Sequence, residues 1–530
     1  MFNVWQSLHY LLKIILLCAT IKTFKMDKFD LCVIGAGPAG YSCAMRALDF
    51  GKKVLLVEKA KPGGAGVFNG ALSSKTLWEL SESYKVTKSL NKGFAVYNSD
   101  LNYQAVIGEM RNAMLEKHAQ LREQIDYFCR KGNLTYLQGT GKMITKNIVQ
   151  IDTNDGNTLE YFAENIGLAV GSRPRKLPTL PIDERTVVTS DGIGEFEDFP
   201  KSLVILGAGV IGTEFATIFS NFGRTKVYMI DRADRILPFE DEDIANVVAH
   251  NLEENGVTIH HESNFEEMKI VDGKVEYTIS KKDGSKQTYV VEKALISIGR
   301  VPNVENIGLK EIGLALDSRG YAEDEDTVTS IPNIYAIGDF TADIALVNIA
   351  EMEGRYAAER MFADKPDFEM TYNNISTIMF LNPEVAGVGM NETQARKEGI
   401  GYRVAGIKYK FLNRAIAMRN TEGFFKIIVT NDDDMKILGL RAMGAHASST
   451  IGYVALLIKQ GLGIRELADL IHPHPSISEG IQACARMLLG KSIMKPEVFG
   501  GISCYSVSAQ GKITDHNPSD RYNKSKTVLN

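Results

Sequence analysis

A glycine-rich turn, Gly35-Ala36-Gly37-Pro38-Ala39-Gly40, is the first stretch whose residue types and spacing could do chemistry. In a G-x-G-x-x-G turn the first glycine makes the bend, the second lets the backbone approach a pyrophosphate, and the third lets helix and strand pack closely. Glu58 follows at close to the ~20-residue spacing of a carboxylate that accepts hydrogen bonds from an adenosine ribose. Gly35, Gly37, Gly40 and Glu58 therefore predict a dinucleotide site.

The same G-x-G-x-x-G motif occurs again at Gly207, Gly209 and Gly212, followed by an acid at Asp231. Each turn needs a buried strand before it, a helix after it and a second strand that carries the acid. Apolar runs of the right length supply these strands at Leu31 to Ile34, Val54 to Val57, Leu203 to Leu206 and Val227 to Ile230. One such turn would also fit an α/β unit that binds nothing, but two predict two dinucleotide-binding folds.

Length and composition place these folds in a large globular protein. The 530 residues are 44% hydrophobic and 24% charged, so we expect several domains. A net charge of −5, with 60 basic and 65 acidic residues well mixed, argues against nucleic acid or an anionic membrane as a partner. The 6 cysteines lack C-x-x-C or zinc-type spacing, which fits a reduced compartment, expected to be the cytoplasm, and no structural metal.

The first 26 residues differ from the rest. Leu8 to Ile21 is apolar apart from His9 and Lys13, which is too short and too interrupted for a clear membrane span. No basic residue precedes this run, as one would in a signal peptide. We expect a disordered leader or an over-extended start, with a signal, an anchor or an organelle-targeting segment as alternatives.

A further glycine-rich segment, GGAGVFNGALSSK over residues 63–75, carries a family resemblance. It resembles the active-site turn of the class I pyridine nucleotide-disulfide oxidoreductases, above all dihydrolipoamide dehydrogenase. There a Gly-Gly pair leads into two redox cysteines with four residues between them, and Ser-Lys follows. Gly66 and Ala71 occupy the two cysteine positions. Because neither side chain can form a thiolate, the resemblance implies that the dithiol relay is missing.

Further motifs of this family occur in the expected order, and the resemblance implies a role for each. Gly141 would touch the adenosine part of FAD, and Gly299, in ALISIGRVPN, belongs to the exit from the nicotinamide domain. Asp339, which ends SIPNIYAIGD, would accept a hydrogen bond from a ribityl hydroxyl of FAD, the structural alternative being a helix cap. Val347 and Asn348 stand where the family usually has Ala-His beside the flavin ring.

The resemblance also implies catalytic residues. Lys75 and Glu214 match a buried pair beside flavin N5, where a cation stabilises the reduced, anionic flavin. The segment HPHPSISE over residues 472–479 matches the signature His-x-His-Pro-x-x-Ser-Glu. His474 would be the acid-base histidine that reaches across a homodimer to the partner's flavin, with Glu479 fixing its tautomer. With no thiol to deprotonate, His474 could instead be a relic that caps a helix.

The resemblance orders the two dinucleotides, FAD first and the nicotinamide second. Asp231 should bind a ribose 2′-hydroxyl and repel a 2′-phosphate, which favours NAD(H) over NADP(H). Arg232 and Arg235 follow, and their guanidinium groups could pair with a phosphate, so NADP(H) stays as the less favoured alternative.

The resemblance extends from Asp27 to Lys495 and implies an α/β fold. We expect two Rossmann-like dinucleotide-binding domains, for FAD and NAD, plus a C-terminal α+β dimerisation domain. The expected segments are a leader (1–26), the first FAD-binding segment (27–180), the NAD(P)-binding domain (181–303), a second FAD-binding or central segment (304–370), the dimerisation domain (371–495) and a polar tail (496–530). We expect disorder from Thr514 onward, and two long scaffold helices between Thr76 and Lys131.

Three functions remain open at this stage. The first is an enzyme that passes hydride from NADH to FAD and then electrons directly to a diffusible acceptor: another nicotinamide, as in the similar soluble transhydrogenases, a quinone, or oxygen. The second is a redox-dead relative that keeps FAD and serves as a binding subunit. The third keeps dihydrolipoamide chemistry through a non-standard cysteine. Cys43 is expected to be buried and Cys504 has no neighbouring thiol in the sequence, which weakens the third.

Overall fold

The computed structural model describes residues 26–87, 100–231, 233 and 235–516. Most of the leader, Arg232 and the last 14 residues lie outside this range, so the interpretations given above for them concern residues outside the described part of the chain. The α-helices are α1 Pro38–Asp49, α2 Gly64–Val67, α3 Ala71–Thr87, α4 Tyr103–Lys131, α5 Val210–Phe222, α6 Glu242–Glu254, α7 Val347–Phe362, α8 Glu392–Lys397, α9 Asn413–Met418, α10 Gly452–Lys459, α11 Ile464–Asp469 and α12 Glu479–Leu488.

The strands divide among several sheets. They are β1 Lys28–Ile34, β2 Val54–Glu58, β3 Leu134–Met143, β4 Ile148–Thr153, β5 Thr158–Leu168, β6 Ser172–Pro174, β7 Val187–Thr189, β8 Ser202–Leu206, β9 Lys226–Ile230, β10 Thr258–His260, β11 Ser263–Val271, β12 Lys274–Lys281, β13 Lys286–Val291, β14 Lys293–Ile296, β15 Arg300–Pro302, β16 Asp324–Glu325, β17 Val328–Thr329, β18 Ile334–Ala336, β19 Ser376–Met379, β20 Val385–Gly389, β21 Tyr402–Lys408, β22 Gly423–Thr430, β23 Ile437–Gly444, β24 Ile502–Val507 and β25 Ile513–Asp515.

One compact unit comprises the described residues up to Gly64 together with His118–Ser172 and Pro302–Glu369. Its central strands are parallel in the order β3, β2, β1, β5, β18, and β4 makes an antiparallel connection between β3 and β5. Every residue of β2 is buried, as the apolar run predicts for a strand covered on both faces. Helices α1 and α7 pack so closely that a Cβ on Gly354 would lie 2.2 Å from the backbone oxygen of Ala39.

The second unit comprises Ala65–Lys117, Arg173–Val301 and the described residues from Met370 onward. It contains a five-stranded parallel sheet in the order β10, β9, β8, β14, β7, with α5 following β8. An antiparallel ribbon, β11 to β13, lies between β10 and β14 in the chain. The sheet and α5 share a core that includes Phe215, Phe219 and Leu203.

The same unit holds a seven-stranded antiparallel sheet in the order β19, β20, β23, β22, β21, β24, β25. Helices α10, α11 and α12 contribute buried residues such as Val454, Leu467 and Ile481 to its core. The α/β fold class, with two Rossmann-like sheets and a C-terminal α+β part, is confirmed. The domain boundaries given above stay predictions.

The end of the chain differs from expectation. The sequence predicts a polar tail with disorder from Thr514, yet β24 and β25 form a hairpin that includes Thr514 and Asp515. Tyr505 and Val507 alternate with Ser506, which suits a strand once β21 offers a free edge for pairing. Within the described residues, no helix is both long enough and apolar enough to span a bilayer.

Candidate nucleotide-binding and redox sites

The first glycine turn lies between β1 and α1. Gly35 has a φ of +103°, and a Cβ there would lie 2.2 Å from the backbone oxygen of Ala169. A Cβ on Gly40 would lie 1.9 Å from the backbone oxygen of Gly35, so strand and helix touch at these glycines. A Cβ on Gly37 would meet nothing within 4 Å, and Gly37 is the N-cap of α1. Space and a helix N-terminus coincide there, which fits a bound pyrophosphate.

Glu58 closes this turn from the end of β2. Its Oε2 accepts a hydrogen bond from the Ala36 amide at 2.7 Å, and its Oε1 accepts one from the Ala60 amide at 2.8 Å. Glu58 is 8% exposed, and the two hydrogen bonds fix its carboxylate at the rim of the turn. This is the position from which an acid bonds to an adenosine ribose in a Rossmann fold.

Asp339 and Val347 belong to the same unit as the first turn. Asp339 Oδ2 accepts a hydrogen bond from Ser172 Oγ at 2.6 Å. A Cβ on the preceding Gly338 would lie 2.9 Å from the Cβ of Ala39, so the Asp339 segment lies against the first turn of α1. Val347 is the first residue of α7. The structure therefore brings two of the predicted FAD segments together.

Two further predicted glycines occupy tight places. In β3, a Cβ on Gly141 would lie 3.1 Å from the side chain of Ile34, the last residue of β1. Gly141 thus lies beside the strand that leads into the first turn. Gly299 belongs to the other unit, has a φ of +100° and accepts a hydrogen bond from the Arg175 amide at 2.9 Å. The ligand contacts given above for both glycines stay predictions.

The second glycine turn repeats the first in detail. Gly207 has a φ of +107°, and a Cβ there would lie 2.5 Å from the backbone oxygen of Ser297. A Cβ on Gly212 would lie 2.0 Å from the backbone oxygen of Gly207, whereas one on Gly209, the N-cap of α5, would meet nothing within 4 Å. This turn therefore also has room for a pyrophosphate at a helix N-terminus.

Asp231 closes the second turn from the end of β9, where its Oδ2 accepts a hydrogen bond from the Ala208 amide. Arg235 lies four residues further on but is engaged elsewhere. Its Nη2 donates to the backbone oxygens of Glu240 at 3.0 Å and Pro238 at 3.3 Å. The guanidinium group is thus held by backbone groups of its own loop.

Lys75 and Glu214 meet between α3 and α5. Lys75 Nζ lies 2.7 Å from Oε2 and 3.0 Å from Oε1 of Glu214, which is 4% exposed. The Phe380 amide donates to Glu214 Oε1 at 3.1 Å, and Lys75 Nζ lies 5.1 Å from the centre of the Phe380 ring. The ammonium group is thereby held between a carboxylate and an aromatic ring.

His474 and Glu479 form the second predicted catalytic pair. His474 Nδ1 lies 2.8 Å from Glu479 Oε1, and the Ser476 amide donates to Oε2 at 2.8 Å. Burial by itself raises the pKa of Glu479, but the hydrogen bonds from His474 and Ser476 outweigh it, so this pKa lies below its ordinary value. The His474 side chain is 62% exposed, so its other ring nitrogen is available to a further group.

The two cysteines that the sequence offers as substitutes, Cys43 and Cys504, lie in settings that disfavour a thiolate. Gly66 lies in α2 and Ala71 is the first residue of α3, and neither carries sulfur. Burial raises the pKa of Cys43 to about 12, and it also raises the pKa of Cys504, to which the charge of Asp515 contributes. Cys504 does interact with the buried Cys484, a neighbour that its sequence position does not reveal. Both thiols are free and protonated at neutral pH.

Some residues of these sites could not be found from the sequence. Phe380 is far along the chain from both Lys75 and Glu214, and Glu353 Oε2 accepts from the Gly338 amide at 2.6 Å. No motif pointed to either residue, because each acts only through a contact distant in sequence. Among the described residues, no group of three or more His, Cys, Asp or Glu side chains is arranged to hold a metal ion.

Two Rossmann-like sheets, each with a glycine turn and a carboxylate fixed at its rim, define a protein that binds two dinucleotides. The chain belongs to the pyridine nucleotide-disulphide oxidoreductase family, whose model matches residues 29–354. The model for the dimerisation domain of the same family matches residues 375–485. The chain is therefore an FAD-dependent oxidoreductase that uses a pyridine nucleotide, and the second match supports a homodimer.

Named relatives agree with this assignment. The dihydrolipoyl dehydrogenase of Bacillus subtilis (strain 168) is 33% identical over 468 residues, which cover 88% of this chain and 97% of the relative. That of Geobacillus stearothermophilus is 33% identical over 463 residues, or 87% and 96% of the two chains.

Solved structures show the same architecture. The HOCl-induced flavoprotein disulfide reductase RclA from Escherichia coli, as its Cu(II) complex, superposes with a TM-score of 0.77 at 26% identity, covering 87% of this chain and all of that one. LpdA from Mycobacterium tuberculosis gives a TM-score of 0.79 at 24% identity, with 87% and 99% covered, a likeness of fold.

Proposed function

We propose that this protein is an FAD-dependent NADH dehydrogenase that passes electrons directly to a diffusible acceptor, without a protein dithiol. The observation that carries the proposal is the pair Gly66 and Ala71 at the two positions where the resembled enzymes have redox cysteines. A disulfide is needed to receive two electrons from a reduced flavin, and a thiolate is needed to attack a disulfide substrate, so both steps require cysteine. The buried, protonated Cys43 offers no substitute.

The residues that would serve the first half of the relay are intact. When bound, FAD supplies a ring that takes up two electrons from NADH and gives them up to an acceptor. Glu58 and Asp339 would hold its adenosine and ribityl parts. Lys75, held by Glu214 and the Phe380 ring, supplies a fixed positive charge that stabilises negative charge developing beside it.

The nicotinamide is NAD(H) rather than NADP(H). The Asp231 carboxylate favours a ribose 2′-hydroxyl and repels a 2′-phosphate. Arg235, the described arginine nearest to it in sequence, donates to backbone oxygens of Pro238 and Glu240 and would have to give up these bonds to reach a phosphate. NADH should therefore reduce the flavin faster than NADPH.

The change Asp231→Ala tests this preference. It removes both the acceptor for the 2′-hydroxyl and the repulsion of the 2′-phosphate, so the ratio of the two reduction rates should fall about tenfold, since a hydrogen bond to a charged group is worth about 1.5–3 kcal/mol. Stopped-flow absorbance measures both rates. Equal rates with NADH and NADPH in the parent protein would contradict the assignment.

His474 has a role only when the acceptor needs a proton. In the homodimer of the resembled family this histidine serves the partner's flavin, and the Glu479 carboxylate fixes its Nδ1 here. Its exposed Nε2 would deliver a proton to a quinone or to oxygen, whereas a second nicotinamide would need none. We place this reaction in the cytoplasm, in keeping with the free cysteines.

An anaerobic titration with NADH tests the proposal. The yellow flavin absorbance should disappear at about one NADH per FAD, because no dithiol is present to take up the electrons. Addition of oxygen, a quinone or a nicotinamide analogue should then restore the colour and identify the acceptor. If NADH does not bleach the flavin, the proposal is wrong, and the protein is better explained as a redox-inactive binding subunit.

A further inference from the structure

The C-terminal hairpin adds two strands to the sheet of the dimerisation domain. The family match ends at residue 485, whereas β24 and β25 follow it and extend the sheet beyond β21. In the paired register Arg403 of β21 lies opposite Ser506 of β24, and Ala405 lies opposite Cys504. The alternation of strand side chains therefore places Arg403, Cys504 and Ser506 on one face of the extended sheet.

Helix α12 covers only part of this face. The helix ends at Leu488, and the chain then turns through residues 490–497 before it enters β24. Between them lies a cavity of about 610 Å³, within the range of about 300–1,000 Å³ usual for small-molecule sites. Met487, Leu488 and Met494 give it an apolar wall. The cavity thus exists because the hairpin widens the sheet past the end of the helix.

The polar groups around this cavity are mostly donors. Arg403 Nε donates to Asn431 Oδ1 at 2.9 Å, which orients the guanidinium plane and leaves Nη1 and Nη2 without a bond to the described residues. Lys495 Nζ donates to the backbone oxygen of Ser492 at 2.9 Å, and a ring nitrogen of His516 lies 3.0 Å from Ser506 Oγ.

Two carboxylates lie near the cavity. The exposed Glu497 belongs to the lining, and the charge of Asp515 adds to burial in raising the pKa of the Cys504 thiol, so this thiol stays neutral. Among the lining residues themselves, Arg403 and Lys495 outnumber the carboxylate of Glu497. Such a donor-rich lining suits a ligand that only accepts hydrogen bonds.

We propose that this cavity binds a small organic carboxylate, with its carboxylate on the Arg403 fork and a short apolar chain against Met487, Leu488 and Met494. A guanidinium group matches a carboxylate through two parallel hydrogen bonds, which gives both affinity and orientation. The apolar wall would bury the ligand's alkyl chain, so the site should bind an organic carboxylate more tightly than an inorganic anion. The site is independent of the two nucleotide turns and of the electron acceptor.

Isothermal titration calorimetry of the full-length, FAD-containing protein with octanoate tests the site. Octanoate should bind once per protein chain. Octan-1-ol, which lacks the carboxylate, and inorganic phosphate, which lacks the alkyl chain, should each bind at least about tenfold more weakly. Arg403→Gln should lower octanoate affinity about tenfold or more. Arg414→Gln removes an exposed arginine of α9 that does not line the cavity, and it should bind as the parent does.

Ser506→Trp is a second variant that removes no charge. It fills the cavity opposite Arg403 and should abolish octanoate binding while FAD content and melting temperature stay at the parent values. If Arg403→Gln fails to fold, Ser506→Trp alone shows whether octanoate binds in this cavity. The proposal is overturned if octanoate gives no saturable heat, if octan-1-ol or phosphate binds as tightly, or if a folded Arg403→Gln or Ser506→Trp protein keeps the parent affinity.

Discussion

At the scale of single residues, Gly66 and Ala71 occupy the two positions where the family resemblance leads one to expect redox cysteines. Gly66 and Ala71 lie at the start of the α2 to α3 segment, while Lys75, one turn further along α3, keeps its carboxylate partner Glu214. The predicted loss of the thiols therefore leaves the charged pair of Lys75 and Glu214 in place. A local change of this kind can be reversed by mutation.

Restoring the thiols is the first residue-scale prediction. The double change Gly66→Cys with Ala71→Cys should create a dithiol, and addition of two electrons should then give the long-wavelength band of a thiolate beside an oxidised flavin. Dihydrolipoamide oxidation should rise from a negligible level. Absorbance during dithionite titration measures the band, and either single change serves as the control because one cysteine cannot form the disulfide. The same band in the parent protein would show that another cysteine already acts.

The open space at Gly37 gives a second residue-scale prediction. Its φ of −71° suits any residue and a Cβ there meets no protein atom, so Gly37→Val should leave the fold intact but occupy the room that a pyrophosphate needs. Gly40→Val is the contrast, because its Cβ would lie 1.9 Å from the Gly35 backbone oxygen and should destabilise the fold. FAD content after gel filtration and the melting temperature of the apoproteins separate the two effects. A yellow Gly37→Val protein would refute the first FAD site.

At the scale of elements, the short strand β16 carries an unusual carboxyl group. Burial raises the pKa of Asp324 to about 6, and the charges of Asp343 and Asp326 add to this, against a hydrogen bond from the Thr327 amide. Its protonated form is favoured in the folded state, so the native protein binds more protons than the unfolded chain between about pH 4 and 6. The contribution of Asp324 to the free energy of unfolding is therefore fully present below about pH 4 and is lost as the pH rises to about 6.

The corresponding test is Asp324→Asn, which keeps an acceptor for the Thr327 amide but cannot ionise. The variant should gain melting temperature relative to the parent at pH 7 and lose that advantage at pH 4.5. Asp317→Asn is the control, because hydrogen bonds lower the pKa of Asp317 and its titration lies below this range. Scanning calorimetry at both pH values measures the difference, and a gain at pH 7 that persists unchanged at pH 4.5 would disprove the raised pKa.

At the scale of the whole molecule, ionic contacts join segments that lie far apart in the chain. Within the second unit, Lys426 of β22 is 5% exposed at its side chain and lies 2.8 Å from Asp241, 2.8 Å from Asp243 and 3.0 Å from Glu392. Burial by itself lowers the pKa of Lys426, but these three carboxylates outweigh it and raise the pKa. The cluster connects the segment before α6 with the antiparallel sheet.

Removing the charge of Lys426 should therefore be costly. Lys426→Met leaves the buried carboxylates of Asp241 and Glu392 uncompensated and should lower the free energy of unfolding by about 3–5 kcal/mol. Asp243→Asn is the matched control, since the Asp243 side chain is 49% exposed and its loss should have a small effect. Urea denaturation measures both, and a change below about 1 kcal/mol for Lys426→Met would contradict this account.

The sequence by itself determined the two nucleotide turns and the family. Each turn is a local structure: Gly35 and Gly40 touch because the six residues from 35 to 40 form a tight bend into the helix. The spacing from each turn to its acid, Glu58 or Asp231, is set by the length of the one helix and one strand that lie between them. Periodicity and glycine spacing encode such features, because the contacts that require them are close in the chain.

The tertiary structure alone decided the rest. Phe380 reaches Lys75 and Glu214 only when the second unit folds, and Arg235 is turned from Asp231 by backbone oxygens of its own loop. The sequence of the hairpin β24 to β25 predicts a polar tail, and it forms strands because β24 pairs with the edge strand β21. In each case the stabilising partner is distant in sequence or is a backbone group, and neither kind of partner leaves a pattern of residue types along the chain.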